Sequence, residues 1–190
     1  MTNSIFAPAR LGPLALRNRL IKAATYEGMV VDGLPSKSLL EHHRELARGG
    51  VGMTTVAYCA VSAEGRTFEN QMVMGAQTRS GLGAITRAVH DEGAAAMLQL
   101  GHAGGFSKDV YWRHHRGPLG PSTRFNAYGA LKAMIFARAM TEGDIARTVR
   151  DFAEAASRAR EAGFDAIELH FGHGYLLSQF LSPWRNRRKD

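Results

Sequence analysis

The sequence has 190 residues of ordinary globular composition, and no apolar run approaches the ~20 residues that a membrane-spanning helix needs. It begins without a signal peptide and carries one cysteine, Cys59, so we expect a cytoplasmic protein with no membrane attachment and no intramolecular disulfide. The formal net charge is +7, but it is concentrated in a basic C-terminal tail without zinc-finger spacing or an RNP-like motif, so a nucleic-acid partner is the least favoured interpretation.

Apolar strand-like runs alternate along the chain with amphipathic helical stretches. In chain order we predict a strand at 19–24, a helix at 36–48, a strand at 51–57, a helix at 80–92, a strand at 95–100, a helix at 141–161, a strand at 164–169 and a short helical turn at 175–181. A glycine follows each long helix, and Thr141 and Asp144 form a capping box that begins the third. Such alternation is typical of parallel β/α units in an α/β protein. Residues 1–190 are therefore predicted to form one domain without an internal boundary.

A long segment, residues 101–140, separates the third predicted strand from the third helix and shows little regular pattern. Loops of this length are usually functional or disordered. This one contains Tyr111, Trp112, His114 and His115, which is more aromatic content than a disordered loop normally has. We expect it to shape a substrate pocket.

Polar side chains follow the predicted strands at their C-terminal ends, which meet at one face of a parallel barrel. The sharpest motif is His170-x-x-His173-x-Tyr175, after the fourth strand. Two imidazoles in one tight loop can each present an N–H to a single oxygen, and the adjacent phenol is a plausible proton donor to carbon. Gln99, at the end of the third strand, is a neutral two-way hydrogen-bonder that would suit the amide-like edge of a flavin ring.

Each of these residues also fits a purely structural role. His170 could cap a buried strand, Tyr175 could pack under the loop, and Gln99 could be a barrel residue whose polar groups are hydrogen-bonded within the protein. A zinc site is another alternative for the two histidines, but no nearby cysteine or closely spaced carboxylate completes it, so no metal is expected. Cys59 is interpreted as a small packing residue rather than a reactive thiol.

The stretch from Gly163 to Pro183 closely resembles the active-site signature of the old yellow enzyme family of flavin oxidoreductases. Residues 18–25 resemble the family's first strand, 49–52 the approach to its second, and 98–104 its glutamine-bearing third strand. The resemblance covers nearly the whole chain in the family's order. It implies a (β/α)8 TIM barrel, of which this chain would span about the first four β/α units.

The resemblance also implies the cofactor, the reaction and the site. FMN would be reduced by NAD(P)H and would pass a hydride to the activated C=C bond of an enone-type, carbonyl-conjugated alkene. The positions that match FMN contacts of the family are Ala23, Ala24, Thr25, Ala60, Gln99 and His170. His170 and His173 match the pair that binds the substrate's activating oxygen, Tyr26 lies at a substrate-side position that varies among relatives, and Tyr175 matches the proton donor.

A barrel needs eight β/α units, and its phosphate grip usually follows strands seven and eight. We therefore expect the isolated chain to bind FMN weakly or not at all and to be inactive. The first and fourth strands would be open edges that favour self-association. A non-catalytic half-barrel that needs a partner chain is the alternative function.

Overall fold

The computed structural model describes residues 4–109, 111–112 and 117–190. Its strands and α-helices, in chain order, are β1 (Ala9–Leu11), β2 (Leu14–Leu16), β3 (Ile21–Lys22), β4 (Val30–Val31), β5 (Leu34–Pro35), α1 (Lys37–Arg48), β6 (Met53–Ala60), α2 (Ala76–Asp91), β7 (Ala95–Gly101), β8 (Leu119–Gly120), β9 (Arg124–Phe125), β10 (Phe136–Ala139), α3 (Glu142–Glu161), β11 (Ala166–Leu169) and α4 (Leu176–Leu181). His114 and His115 lie outside the described residues. No helix in the described part of the chain is long and apolar enough to cross a membrane.

Four parallel strands form the main sheet, in the order β11-β7-β6-β3. Helices α1, α2 and α3 each lie in the connection between two neighbouring strands. This is the predicted arrangement, in which successive parallel strands alternate with helices as in one side of a (β/α)8 barrel. Strands β3 and β11 are the two edges of this sheet.

The main core lies between the sheet and its helices, and strand alternation decides which side chains reach it. Along β7, Ala96, Leu98 and Leu100 pack against the helices. Met97 points to the opposite face, where it packs with Met53 and with Leu16 from the hairpin of β1 and β2. Gln99 has the same parity as Met97, so its polar side chain lies on the face that a barrel would enclose.

Several element boundaries differ from the prediction. Strand β3 covers only two of the six predicted residues, and the chain leaves the sheet after Lys22. Strand β6 continues to Ala60, beyond the predicted end at 57, through a register shift between Val56 and Cys59. Helix α2 begins at Ala76 rather than at 80, and β11 begins at Ala166 rather than at 164.

The segment 101–140 contains more structure than predicted. Strands β8, β10 and β9 form a small three-stranded sheet in that order. Trp112 and Met134 from this segment pack with Leu176 of α4 in a second hydrophobic cluster. The two hairpins, β1–β2 and β4–β5, were also missed. These strands are two or three residues long, too short for a readable alternation.

Candidate active site

A cleft of about 450 Å³ opens at the C-terminal end of the parallel sheet. Its lining residues come from the C-terminal parts of β6 and β7 and from the loops that follow β3 and β11. They are Ala24, Thr25 and Tyr26 after β3, Ala57 and Tyr58 of β6, Gln99 of β7, and His170, His173 and Tyr175 after β11. All four barrel strands therefore contribute to one site, as expected for the face where parallel strands end.

The two histidines of the motif face each other in this cleft. His170 Nε2 lies 3.2 Å from His173 Nδ1, with the rings perpendicular. The backbone N–H of Gly172 donates to His170 Nδ1, which assigns the ring proton of His170 to Nε2. His173 has a φ of +58° and Gly174 one of +70°, and this left-handed turn folds the loop back on itself. The two ring nitrogens thus contact each other here, and an oxygen bound by both would have to displace that contact.

His170 is suited to act as a neutral donor. Burial lowers its pKa, the nearby His173 lowers it further, and Glu168 raises it in part. The net effect keeps the imidazole uncharged near neutral pH, so that it binds through its N–H rather than through a full positive charge.

Tyr175 lies against His170, with ring centroids 4.8 Å apart, and its hydroxyl reaches a second phenol. The hydroxyls of Tyr175 and Tyr58 are 3.1 Å apart, and Tyr58 donates to Thr67 Oγ1 at 3.2 Å. Burial raises the pKa of Tyr58, so it stays a protonated phenol. Sequence reasoning missed Tyr58 because the strand was predicted to end one residue before it.

Gln99 is oriented by a neighbour on the next strand. Its Nε2 donates to Glu168 Oε1 at 2.5 Å, across a register pair of β7 and β11. Since the carboxylate occupies the amide N–H side, Gln99 Oε1 remains an acceptor for a group entering the cleft.

A buried charged cluster supports the loop that carries Thr25 and Tyr26. Glu27 pairs with Lys22, lies 3.4 Å from His43 Nε2, and accepts from the backbone N–H of Ala57. Burial alone would raise the pKa of Glu27, but the adjacent His43 and the paired Lys22 outweigh it and hold the pKa below its usual value. The pattern of polar residues in sequence did not reveal this cluster, because its members lie on a strand, a loop and a helix.

Seven of the predicted site residues line the cleft, and two do not. Ala60 is fully buried, and its backbone bonds Met72 and Met74 instead of facing the opening. Ala23 is exposed outside the lining. The register shift in β6 explains the position of Ala60, because it brings Ala57 and Tyr58 to the cleft in its place.

The cleft fits the ring of a flavin better than its phosphate. Thr25 and Gln99 offer neutral hydrogen-bonding groups, and the small side chains of Ala24 and Ala57 leave room for a flat ring. None of the described residues that line it is lysine or arginine. No group of three or more His, Cys, Asp or Glu that could hold a metal occurs among the described residues.

A parallel half-barrel with a polar cleft that suits a flat ring is consistent with a flavin oxidoreductase, and the comparison with known families decides the class. Residues 4–190 match the family model described as the NADH:flavin oxidoreductase / NADH oxidase family. The chain belongs to this family. The expected old yellow enzyme family, the barrel class and the use of FMN with a nicotinamide nucleotide are thus confirmed at the level of the family.

Three known proteins that are similar to this chain are each about twice as long. The 4,4'-dithiodibutanoate disulfide reductase of Rhodococcus erythropolis is 49% identical over 189 residues, covering 100% of this chain and 45% of that protein. Old yellow enzyme from Pichia sp. AKU4542 superposes with a TM-score of 0.91 at 25% identity, covering 100% of this chain and 51% of the other. Morphinone reductase in complex with tetrahydroNAD gives 0.85 at 27% identity, covering 98% and 54%. The chain therefore spans about half the length of these relatives.

Proposed function

We propose that this chain forms the flavin-ring and substrate side of an FMN-dependent oxidoreductase that uses NAD(P)H to reduce activated C=C bonds of enone-type substrates. The observation that supports it is the convergence of His170, His173 and Tyr175 with Gln99 and Thr25 at one cleft. Thr25 and Gln99 would hold the ring of FMN, and the bound flavin would supply the redox chemistry, the transfer of a hydride from NAD(P)H to the alkene.

The chain's own residues bind and protonate the substrate in this proposal. His170 and His173 donate hydrogen bonds to the carbonyl oxygen, on which negative charge develops, an effect of about 3 kcal/mol per donor in well-studied enzymes. Tyr175 gives its hydroxyl proton to the α-carbon. Thr25 and Gln99 orient the ring, Ala24 lies beside it, and Tyr26 limits the substrate side.

The site needs more than these residues to hold FMN tightly. No cationic side chain is among the described lining residues, so nothing in the cleft balances the charge of the phosphate. We therefore propose that the isolated chain binds FMN weakly and is inactive, and that a complementary set of β/α units completes the site. A half-barrel that serves only as a binding partner is the alternative within this proposal.

Reduction of a disulfide is a second candidate, favoured by the 49% identity to a protein named as a disulfide reductase. One turnover would add two electrons and two protons to the substrate and break its S–S bond to give two thiols. Tyr175 would then protonate a departing thiolate rather than a carbon.

Reconstitution tests these candidates. The chain is coexpressed with the remaining part of the Rhodococcus enzyme, the part that has no counterpart in this chain. The complex is supplied with NAD(P)H and with one of three substrates: 2-cyclohexenone, cyclohexanone or 4,4'-dithiodibutanoate. We expect a yellow complex that reduces the enone and spares the saturated ketone. Reduction of the disulfide alone would replace the first candidate by the second, and stoichiometric, tight FMN on the isolated chain would contradict the need for a complement.

A further inference from the structure

Three hydroxyl groups form a continuous line from the candidate proton donor to the loop after β6. Tyr175 and Tyr58 have their oxygens 3.1 Å apart, and Tyr58 donates to Thr67 Oγ1 at 3.2 Å. Thr67 is fixed in turn, because its backbone N–H donates to the side chain of Gln71.

Tyr58 has one hydroxyl proton and two acceptors within reach. While Tyr58 donates this proton to Thr67, it has none left for Tyr175. In the hydrogen bond between the two phenols, Tyr175 is then the donor and the Tyr58 oxygen is the acceptor. Once Tyr175 has lost its proton, rotation about the C–O bond of Tyr58 turns the same O–H to the Tyr175 oxygen. A hydrogen bond to a charged acceptor is stronger than one to a neutral hydroxyl, so the charged state of Tyr175 favours this rotation.

We propose that Tyr58 is a positioning residue that switches its hydroxyl from Thr67 to Tyr175 and thereby makes Tyr175 a better proton donor. The proposal rests on the proposed function for its catalytic consequence, but the hydroxyl switch itself does not. The step is balanced: the O–H bond of Tyr175 breaks as the new bond to the substrate forms, Tyr58 keeps its proton throughout, and solvent later returns a proton to Tyr175.

Tyr58 contacts the hydroxyl of Tyr175 directly, whereas the other titratable neighbours contact the two phenols through their rings. The other titratable side chains that face the two phenols are Tyr26, with its ring 6.1 Å from that of Tyr58, and His170 and His173, with rings 4.8 and 6.0 Å from that of Tyr175. The described residues that line the cleft include no carboxylate and no lysine or arginine. Because burial raises the pKa of Tyr58, this phenol keeps its proton and can act as a donor.

Two variants of the full chain move the ionisation of Tyr175 in opposite directions. In Tyr58→Phe the phenolate loses its donor, so the midpoint shifts to higher pH. In Thr67→Val the competing acceptor is gone, so the midpoint shifts to lower pH. The gain or loss of a hydrogen bond to a charged group changes the ionisation equilibrium of that group roughly 10- to 100-fold. The expected shift of the titration midpoint is therefore about 1–2 pH units.

The measurement uses 19F NMR on the chain labelled at its five tyrosines with 3,5-difluorotyrosine. The fluorines lower the pH at which a phenol ionises, which brings the titration of exposed tyrosines toward the neutral range. The resonance that disappears in Tyr175→Phe identifies Tyr175. Tyr128→Phe is the matched control, because Tyr128 is an exposed phenol that packs on the same Phe106 as Tyr175, and it should leave the midpoint unchanged.

The outcomes separate this inference from the proposed function, since the titration needs neither flavin nor substrate. Opposite shifts in the two variants support the switch, even if the reconstituted enzyme reduces no enone. An unchanged midpoint in Tyr58→Phe, or shifts in the same direction in both variants, overturns it, even if enone reduction is found. In the reconstituted enzyme, Tyr58→Phe should also shift the alkaline limb of the pH–rate profile to higher pH, which a merely structural role would not do.

Discussion

At the scale of single residues, the site depends on one backbone feature that sequence reasoning did not predict. The motif predicted that His170, His173 and Tyr175 lie together, and they do. The left-handed conformation of His173 and the contact between the two imidazoles could not be predicted, because spacing along the chain does not fix the direction of a ring. Tyr58 was missed for a related reason, since its role depends on a strand boundary.

His173→Asn is predicted to retain most of the reconstituted activity, whereas His173→Val is not. Asparagine tolerates the left-handed backbone at φ +58° and keeps an N–H donor. Valine is strained there and has no donor, so we expect its rate to fall roughly 100-fold or more, by analogy with the loss of one oxyanion donor. Steady-state kinetics with the enone measure both variants; equal activities would contradict a donor role for His173.

His102 is predicted to make the folded chain less stable in acid. Burial, with a contribution from Arg147, lowers its pKa to about 4 from 6.5, and the backbone N–H of Gly104 donates to its Nδ1. Because the folded state binds this proton more weakly than the unfolded state, the stabilising contribution is complete above about pH 6.5 and is lost as the pH falls toward 4. The loss is about 3 kcal/mol at most.

Denaturant unfolding of the wild type and of His102→Asn across this pH range measures that contribution. Asparagine keeps an acceptor for Gly104 but does not titrate, so the free energy of unfolding should fall less steeply with acid in the variant. Identical slopes would show that His102 does not account for the acid sensitivity.

At the scale of elements, the helices were predictable, including the short α4, whereas the strands of two or three residues were not. Helix α3 begins and ends within a residue of its prediction, because its capping box and the following glycine are local signals. Strand β3 is much shorter than predicted, because Glu27 is drawn toward Lys22 and His43, and this tertiary contact shapes the loop after the strand. The small sheet in the segment 101–140 depends on pairing between distant residues, which local pattern does not show.

Thr141→Ala is predicted to reduce the free energy of unfolding by about 1 kcal/mol. Thr141 Oγ1 accepts from the backbone N–H of Asp144, and the Asp144 carboxylate accepts from that of Thr141. Thr141→Ser keeps the hydroxyl and serves as the control. Urea unfolding compares the three proteins, and an alanine variant as stable as the serine variant would argue against a stabilising cap.

At the scale of the whole molecule, the main sheet ends in β3 and β11, whose outer sides pair with no other strand among the described residues. Ile21 on β3 and Leu169 on β11 are 41% and 49% exposed, so both edges present apolar side chains. Open edges of this kind invite pairing with another chain. We predict that the isolated chain self-associates, and that a complementary half-barrel would cover the same edges.

Ile21→Lys is predicted to reduce this self-association, because a charged side chain on an edge strand disfavours pairing. Leu131→Lys adds the same charge at a residue that is 99% exposed in the segment between β9 and β10, away from the edges, and should have little effect. Sedimentation velocity measures all three proteins. A wild-type chain that is a single stable monomer would contradict the prediction.

The most direct test of the whole account is the rate at which 2-cyclohexenone reoxidises the reduced flavin in the reconstituted complex, followed by anaerobic stopped-flow absorbance. With NAD(P)H exhausted, the wild-type complex should be reoxidised by the enone, and the Tyr175→Phe complex roughly 100-fold or more slowly. A flavin that the enone leaves reduced, or one that it reoxidises equally fast in both complexes, would contradict the assignment of this cleft.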